Sequence, residues 1–473
     1  YEITYGDWSS DVCSSDLTPG ESQILPGRPT RVWRFAAELL RGPEGSVQNV
    51  PDSYLGPVLR VRTGHRVRIR LQNELPEPTI VHWHGLDVPE AADGHPRFAV
   101  APGGSYTYEF TVINRAGTYW YHPHPDRRTG AQACYGLAGL LLVSDDREGE
   151  LGLPSGASEI PVVIQDRTFD ADNQFVYLSG RPMEPMIGFF GEQVLVNGRL
   201  APTLDLARRV FRFRLLNGSN SRVYKLAWSD DSPMTVIGTD GGLLEHPSTR
   251  PFLTLAPGER IDALVDFTRH AAGTSLTLRS LPVPAAPFEM LMGPMGGGAG
   301  RGTASAPASI LTVRIGAGEP APFACPNTLA AFDEIWRTPT AGKPSARTFP
   351  VAAAMMQWTL NGRAFAMDDI APNEVVRAGA TEVWEFANRD TGMMGMRLAH
   401  PIHIHGRPFR VLERTPDPDL PDYWSTLSEG RIEEGWKDTF LLMPGERVRI
   451  LLRTSDYEGL YLYHCHNLVH EDM

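Results

Sequence analysis

The sequence predicts an all-β protein made of three repeated β-sandwich modules, because two strand patterns each occur three times. In the first pattern, a Pro-Gly turn precedes an alternating apolar run, and a strand that begins with glycine follows after a short loop. The turn prolines are Pro102, Pro257 and Pro444, and the later glycine follows them after 15, 16 and 15 residues. Alternation of apolar and polar residues between turn residues is typical of strands.

The second pattern is a strand that ends in asparagine, at residues 67–73, 210–217 and 382–388. One copy precedes each Pro-Gly unit, and short strands separated by turn signals indicate β-sandwiches. We therefore expect modules at residues 20–146, 155–316 and 346–473. The Pro-, Ala- and Gly-rich stretch 317–345 is expected to be the linker into the third module.

Length and composition agree with a multidomain globular protein. The 473 residues exceed what one hydrophobic core usually serves. The apolar fraction of 42% is ordinary, and no apolar run approaches the length of a membrane span. A net charge of −12 argues against a nucleic-acid partner and favours neutral or cationic substrates. The chain begins with Tyr1, so we expect any targeting peptide to have been removed or never included.

The first residues and the cysteines carry weaker signals. Residues 8–17 repeat Ser-Ser-Asp and show no strand or helix period, as in a cloning or assembly artefact, so we place no weight on Cys13. A disulfide between Cys134 and Cys325 is one alternative, and two buried thiols are the simpler expectation.

Ten of the fourteen histidines fall in four short clusters, and this clustering predicts a metal centre. The clusters are His82-Trp83-His84, His122-Pro123-His124, His400 with His403 and His405, and His464-Cys465-His466 with His470. In a strand, residues i and i+2 project from one face, so each His-X-His pair offers two neighbouring imidazoles. The four pairs supply eight imidazoles, which are too many for one ion and suit three ions with open positions.

Cys465 points away from its two flanking histidines and must therefore bind a different ion. Together with His400 and His470 it forms a His₂Cys set, which is the ligand set of a blue-copper electron-transfer site. Zinc is the alternative metal, but structural zinc takes four ligands, and eight imidazoles with a lone thiolate suit it poorly.

The modules differ where the ligands lie. His82 lies nine residues beyond Asn73, whereas Leu226 lies nine residues beyond Asn217. Module two also lacks a His-X-His pair after its glycine. We therefore expect modules one and three to lie face to face around the metals, with module two as a spacer and a wall.

The four clusters, in this order, resemble those of the multicopper oxidases, specifically the three-domain bacterial laccase-like and bilirubin-oxidase-like group. The resemblance runs from about residue 25 to the end of the sequence. It implies three cupredoxin-like Greek-key sandwich domains and four copper ions, one of type 1, one of type 2 and two of type 3. Its type 1 ligands would be His400, Cys465 and His470, and its type 2 ligands His82 and His403. The type 3 ligands would be His84, His122, His124, His405, His464 and His466.

The resemblance also implies a mechanism, in which type 1 copper takes single electrons from the substrate. The electrons pass through Cys465 to the trinuclear cluster, where O₂ becomes two waters. Water formation consumes protons, so carboxylates are expected nearby. Asp93 and Glu471 lie where the family keeps its proton-relay acids. The alternatives are that Asp93 only begins a turn with Gly94 and that Glu471 is a solvated charge.

Three features of the sequence differ from the family pattern or add to it, and each concerns copper binding. The axial type 1 residue of the family would fall at position 475, beyond the last residue given, and we do not expect Met473 to replace it. Either the given sequence is clipped or the type 1 copper has no axial ligand, and type 1 occupancy is expected to be altered if the protein ends at Met473. Related cuprous oxidases keep an acidic residue where Met396 stands, which weakens that assignment. Met290, Met292 and Met295 lie in a Gly-rich loop that could recruit Cu(I), although a mobile linker and adaptable apolar packing are favoured for it. A second methionine group, Met393, Met394 and Met396, precedes His400.

Isolated residues receive simpler interpretations. The lone histidines His65, His95, His246 and His270 are expected to be surface or hydrogen-bonded side chains. Trp83, Trp120 and Tyr121 are expected to pack around the metal cluster rather than bind substrate.

The sequence is therefore interpreted as a laccase-like oxidase of phenols and aromatic amines that uses O₂. Within the enzymes, the alternatives are a cuprous-ion oxidase for copper tolerance and a bilirubin oxidase. A division-associated cupredoxin protein is disfavoured because all ten histidines and the cysteine are present, and a nitrite reductase because of the eight-histidine cluster. We expect a monomer without nucleic-acid or membrane partners, in the periplasm or outside the cell.

Overall fold

The computed structural model describes residues 10–180, 183–283, 307–340, 342–354, 356–389 and 398–473. In this part of the chain the strands form six sheets, two from each predicted module. The fold is all-β, as the sequence predicted, and the helices are short. None of the described helices is long and apolar enough to cross a membrane.

Module one contains a four-stranded sheet, in the order β2-β1-β5-β7, and a five-stranded sheet, in the order β3-β4-β9-β8-β6. Its strands are β1 (Ser10–Ser22), β2 (Thr30–Arg41), β3 (Val47–Gln48), β4 (Val58–Arg62), β5 (Arg66–Asn73), β6 (Val81–His84), β7 (Ser105–Thr111), β8 (Gly117–Pro123) and β9 (Gly139–Ser144). The helices are Glu90–Asp93, Thr129–Cys134 and Asp146–Glu150, with a 3₁₀ turn at Pro96–Phe98. Ile69, Tyr108, Trp83 and Tyr121 belong to the core between the sheets.

Module two contains a seven-stranded sheet, β12-β11-β10-β14-β19-β16-β17, and a five-stranded sheet, β13-β21-β20-β15-β18. Its strands are β10 (Glu159–Arg167), β11 (Gln193–Val196), β12 (Arg199–Leu200), β13 (Thr203–Leu206), β14 (Val210–Asn217), β15 (Tyr224–Trp228), β16 (Met234–Thr239), β17 (Gly242–Arg250), β18 (Leu253–Leu255), β19 (Arg260–Asp266), β20 (Ser275–Ser280) and β21 (Ala308–Ile315). A helix at Glu184–Ile187 and a 3₁₀ turn at Gly156–Ser158 complete it. Phe213, Trp228 and Phe267 pack in its core.

Module three contains a five-stranded sheet, β23-β22-β24-β28-β26, and a three-stranded sheet, β27-β25-β29. Its strands are β22 (Arg347–Ala354), β23 (Gln357–Leu360), β24 (Thr381–Asn388), β25 (His400–Ile404), β26 (Phe409–Thr415), β27 (Thr439–Leu442), β28 (Arg447–Arg453) and β29 (Tyr463–Cys465). Helices occur at Pro421–Ser428 and Leu468–Glu471, and a 3₁₀ turn at Pro372–Glu374. Phe349, Phe386 and Ile402 lie in its core.

The repeated strands have the same connections in all three modules. The asparagine-ending strands β5, β14 and β24 each pair parallel to the first strand of their sheet and antiparallel to the strand after the Pro-Gly turn. The asparagines themselves are buried, and their side-chain amides donate to backbone carbonyls at the strand end, as Asn73 does to Val100 and Asn217 to Leu255. The repeat seen in the sequence is therefore a structural repeat.

The expectation that residues 8–17 show no strand period was wrong for the part that the structure describes, from Ser10 onward. Strand β1 begins at Ser10, pairs antiparallel with β2 and runs parallel to β5. Cys13, Ser15 and Leu17 are all buried, so a period of two is present. The period escaped detection because one of the three inward positions is a serine. Module one therefore extends to Ser10, and the other module limits stay as proposed.

Two other expectations concern single residues and loops. Cys134 and Cys325 are both thiols without a disulfide, and Cys134 is buried while Cys325 is partly exposed. The methionine clusters at 290–295 and 393–396 lie outside the described residues.

Candidate metal centre

Neighbouring strands bring the histidines of each module together. In module one, β6 pairs antiparallel with β8, and His82 lies directly opposite His122. In module three, β25 pairs with β29, and His403 lies opposite His464. Directly opposed residues of an antiparallel pair have their Cβ atoms about 4.5–5.5 Å apart, so each pairing places two imidazoles side by side.

The histidine pairs of modules one and three face each other across the contact between the modules. The His82 ring stacks on His405 with centroids 3.8 Å apart, and the His84 ring stacks on His403 with centroids 3.7 Å apart. We call the following residues the eight-histidine set: His82, His84, His122, His124, His403, His405, His464 and His466. All are buried except His464, which is partly exposed.

Nitrogen-to-nitrogen contacts divide the eight-histidine set into smaller groups. His82 Nε2 lies 3.4 Å from His403 Nε2, and His84 Nδ1 lies 3.4 Å from His122 Nε2. The third group converges on His464, whose Nε2 is 3.1 Å from His405 Nε2 and 3.5 Å from His124 Nε2. These nitrogens are close enough for each group to share an ion. His466 packs beside His84 with ring centroids 4.9 Å apart.

Backbone carbonyls fix which nitrogen of several rings carries the hydrogen. His82 Nδ1 is 2.6 Å from the Asp93 carbonyl, and His122 Nδ1 is 2.8 Å from the Pro123 carbonyl. A carbonyl can only accept, so these Nδ1 atoms must donate, and the Nε2 lone pairs remain available for a metal.

Cys465 belongs to a second group on the other face of β29. Its Sγ lies 3.4 Å from His400 Nδ1 and 3.8 Å from His470 Nδ1. His470 Nε2 is 3.0 Å from the carbonyl of Met186, a residue of module two, so His470 keeps Nδ1 free for a ligand. We call His400, Cys465 and His470 the Cys465 set. Cys465 Sγ and the Nδ1 atoms of His400 and His470 are close enough together to bind one ion, as the alternation of side chains along β29 predicted.

The electrostatics of both sets suit a soft or borderline cation. Burial lowers the pKa of His400 to about 3, and burial together with the neighbouring His124 lowers that of His122 to about 3. The rings are therefore neutral at physiological pH and offer lone pairs. Within the described residues, His400 Nε2 and both nitrogens of His466 are buried without a hydrogen-bond partner, so ligation is the available role for the His466 ring. The donor sets thus fit copper ions.

The two predicted acids both reach the eight-histidine set. The Asp93 carboxylate Oδ2 lies 2.7 Å from His405 Nδ1, and burial, together with Asp87 and Glu90, raises the pKa of Asp93 well above its ordinary value. Glu471 lies 3.3 Å from His124 Nε2 and 3.3 Å from His464 Nδ1. Asp93 is fully buried and the Glu471 side chain is 9% exposed, so neither is a solvated surface charge.

Three of the four lone histidines lie beside polar partners. His95 is buried and its Nδ1 accepts from the Arg97 amide, and His246 Nδ1 lies 2.7 Å from the Asn327 carbonyl. His270 approaches Asp230 at 3.6 Å.

Of the three aromatic residues expected to pack around the metal cluster, Trp120 does so, whereas Trp83 and Tyr121 pack in the core of module one instead. The Trp120 ring lies 4.3 Å from His122, centroid to centroid. Trp83 and Tyr121 are in the core of module one, where the Tyr121 hydroxyl donates to the Pro57 carbonyl.

One buried residue beside the eight-histidine set was missed from the sequence. Asp438 precedes β27, and its Oδ1 lies 3.1 Å from His84 Nε2. It stands outside the histidine clusters, so cluster spacing did not reveal it. The available signal was the charged pair Lys437-Asp438 directly before an apolar strand, where both side chains are buried.

A cavity of about 650 Å³ lies against the Cys465 set. Its wall includes His400, Cys465 and His470, and aromatic side chains such as Trp358 and Phe365. Met473 also borders the cavity, and its backbone carbonyl accepts a hydrogen bond from Gln357.

Comparison with known proteins gives one consistent picture. Sequence models of multicopper oxidase domains match residues 33–148 and 336–473. A laccase of Bacillus stratosphericus is 31% identical over 503 aligned positions, which cover 94% of this chain and 89% of the laccase.

Solved structures agree with the sequence comparison. The laccase from Pediococcus acidilactici superposes with a TM-score of 0.78 at 30% identity, covering 100% of this chain and 89% of that one. The McoA multicopper oxidase from Aquifex aeolicus gives a TM-score of 0.78 at 32% identity, with coverage of 98% and 95%. The likeness therefore includes all three modules rather than one domain.

Proposed function

The chain belongs to the multicopper oxidase family, and on this premise we propose that it oxidises phenols and aromatic amines one electron at a time and reduces O₂ to water. It is a copper-dependent oxidoreductase of laccase-like type. The single observation that carries the proposal is the convergence of ten histidines and one cysteine into two adjoining ligand sets.

We assign four copper ions to these sets. The Cys465 set is the type 1 site, and His82 and His403 hold the type 2 ion. The two type 3 ions are held by His84, His122 and His466 on one side and by His124, His405 and His464 on the other. Copper bound in this way supplies one-electron oxidation of the substrate at one end and reduction of O₂ at the other.

The protein orients and shields these sites. Carbonyls and carboxylates hold the ring hydrogens away from the ions, which raises ligand basicity and fixes ring orientation. Cys465 is the chain neighbour of both His464 and His466, so one peptide unit on either side links the two sets covalently. Burial of the imidazoles keeps bulk water away from their nitrogens.

We propose that Asp93 and Glu471 relay protons to the O₂-reducing set. The support is their contacts: Asp93 Oδ2 is hydrogen-bonded to His405, and Glu471 reaches both His124 and His464. General acids must lie within hydrogen-bond reach of the reacting group or one water away.

The cavity beside the Cys465 set is the proposed substrate site. It is large enough for a small aromatic molecule, and apolar and aromatic side chains such as Trp358, Phe365 and Val375 line it. We further propose that the protein acts as a monomer without nucleic-acid or membrane partners. We place it in the periplasm or outside the cell, where members of this family usually act.

Turnover of three substrates tests this function. Copper-loaded protein should oxidise a substituted phenol with O₂ uptake faster than it oxidises Cu(I) or bilirubin. Rapid Cu(I) turnover with little phenol oxidation would favour a cuprous oxidase, and faster bilirubin turnover a bilirubin oxidase. Absence of bound copper and O₂ uptake would favour a non-enzymatic protein.

A variant pair locates the reaction. Cys465→Ser should lose both the blue absorption and phenol oxidation, because serine does not supply the thiolate of a blue-copper site. Cys325→Ser, a partly exposed thiol outside both ligand sets, is the matched control and should retain both. Phenol oxidation that survives in Cys465→Ser would contradict the assignment.

A further inference from the structure

Asp438 touches histidines from both modules. Its backbone carbonyl lies 2.9 Å from His403 Nδ1 in its own module, and its carboxylate Oδ1 lies 3.1 Å from His84 Nε2 in module one. This arrangement mirrors that of Asp93, which also uses its carbonyl on its own module and its carboxylate on the opposite module. The two stacked ring pairs between the modules are thus each held by one aspartate side chain and one aspartate carbonyl.

We propose that Asp438, clamped by Arg260 of module two, is a positioning residue that fixes the tautomer of His84 and so aims its Nδ1 at the ion shared with His122. This role rests on the copper-binding function proposed above, because a ligating His84 must present one fixed nitrogen to the ion. A carboxylate held by a guanidinium accepts hydrogen bonds, so His84 Nε2 must carry the hydrogen. The Nδ1 lone pair then faces His122 Nε2, 3.4 Å away.

Arg260 is fully committed to this arrangement. Its Nη1 and Nη2 lie 2.7 and 2.5 Å from the two carboxylate oxygens of Asp438. The remaining three donors go to the carbonyls of Thr118, Gly258 and Asp240. All five guanidinium donors are used and the side chain is fully buried, so the position of Asp438 is fixed by the frame of all three modules.

The bidentate clamp distinguishes Asp438 from Asp93. Asp93 Oδ1 has no hydrogen-bond partner in the described part of the chain, whereas both Asp438 oxygens are held by Arg260 and one also accepts from Thr439 Oγ1 at 2.9 Å. Asp438 is therefore built to stay in place, and module two does more than separate its neighbours.

A different role for the same atoms would be a further cation site formed by His84, His403 and Asp438, whose ligand atoms lie close together. The Arg260 guanidinium disfavours this role, because it places a positive charge at hydrogen-bond distance from both carboxylate oxygens. The nitrogens that face Asp438 are also those that carry hydrogens.

The first test measures copper affinity in a matched pair of variants. Asp438→Ala removes the carboxylate beside His84, and Asp262→Ala removes an equally buried carboxylate that two arginines hold and that contacts Thr118 instead of a histidine. Loss of a group that orients a ligating histidine costs roughly 10- to 100-fold in metal affinity. In chelator competition, Asp438→Ala should lose copper from the type 3 site of His84 and His122 by this factor and keep its type 1 absorption. Asp262→Ala should keep both its copper and its type 1 absorption.

A second test reads the tautomer directly and needs no copper. In metal-free protein with nitrogen-15-labelled histidine, the spectrum should show a protonated Nε2 on His84, and Asp438→Ala should lose this signal while Asp262→Ala retains it. Arg260→Lys keeps the positive charge but loses the planar guanidinium that contacts both carboxylate oxygens, so it should weaken the signal of protonated His84 Nε2. Arg212→Lys, at another buried ion pair, is the control and should leave that signal unchanged. An unchanged His84 signal in Asp438→Ala, or equal copper retention in both alanine variants, overturns the proposal. Failure of unaltered protein to bind copper would refute the proposed function, while the metal-free spectra would still decide the role of Asp438.

Discussion

Substitution of Gly258 is predicted to disturb the copper centre from outside its ligand sets. Gly258 belongs to the Pro-Gly turn of module two and has a φ of +86°, in the region that favours glycine. A Cβ at this position would lie 3.1 Å from Cγ and 3.2 Å from Nδ1 of the His466 ring. The His466 ring has no hydrogen bond among the described residues, so packing alone orients it.

The magnitude follows from two separable effects. An L-residue with left-handed φ costs roughly 1–2 kcal/mol wherever it occurs. The Cβ contact adds a displacement of the His466 ring by a few tenths of an ångström, because real Cβ contacts rarely fall below 3.4 Å. Disturbing the orientation of a metal ligand typically costs 10- to 100-fold in metal affinity or activity. Gly258→Ala should therefore lose both stability and type 3 copper.

Gly103 provides the matched control because it occupies the same turn position in module one. Its φ is +78°, and a Cβ there would meet nothing within 4 Å. Gly103→Ala should therefore lose stability in urea denaturation but keep its copper content and rate of O₂ uptake. If both variants retain copper and O₂ uptake equally, the contact with His466 does not orient the ring and the reasoning fails.

Three further predictions concern stability and the copper sites. Burial alone would raise the pKa of Asp262, but Arg214 and Arg212 hold this pKa below its ordinary value. The ionised carboxylate therefore contributes to the free energy of unfolding at neutral pH, and this contribution is lost as the pH falls through the folded-state pKa. Asp262→Ala should lower the free energy of unfolding by about 3–5 kcal/mol at pH 7, and the difference should shrink in acid-series urea titrations below pH 3.8; a constant difference would contradict this. Met473→Leu should leave the blue absorption unchanged, because Met473 is not the expected axial ligand, and a shifted band would show that it is. Removal of copper by a chelator should lower the melting temperature, because ions that bind only the folded state stabilise it, and an unchanged melting temperature would contradict tight binding to that state.

Local sequence patterns predicted the parts of the fold that depend on strand alternation. The strands that end in Asn73, Asn217 and Asn388 all form, and the two faces of β29 carry different ligand sets, because a period of two is a property of the backbone itself. The four histidine clusters likewise converge as their spacing indicated.

Residues whose roles depend on contacts between modules could not be predicted in this way. Modules two and three share the tetrapeptide Pro-Gly-Glu-Arg, yet Arg260 is fully buried beneath Asp438 whereas Arg447 is exposed. The difference arises because Arg260, in β19, reaches Thr118 of module one and Asp438 of module three, whereas Arg447, in β28, lies on an exposed face. Ser15 shows the opposite failure, since a buried polar residue concealed an ordinary strand.

The placement of the proposed copper ligands has a consequence for how the protein matures. The eight-histidine set draws on residues 82–124 and 403–466, so a nascent chain on the ribosome offers only half of the ligands until its last module has emerged. Metal delivered early would meet an incomplete and mismatched set of imidazoles. On the proposed assignment, copper loading is expected after the three modules have docked.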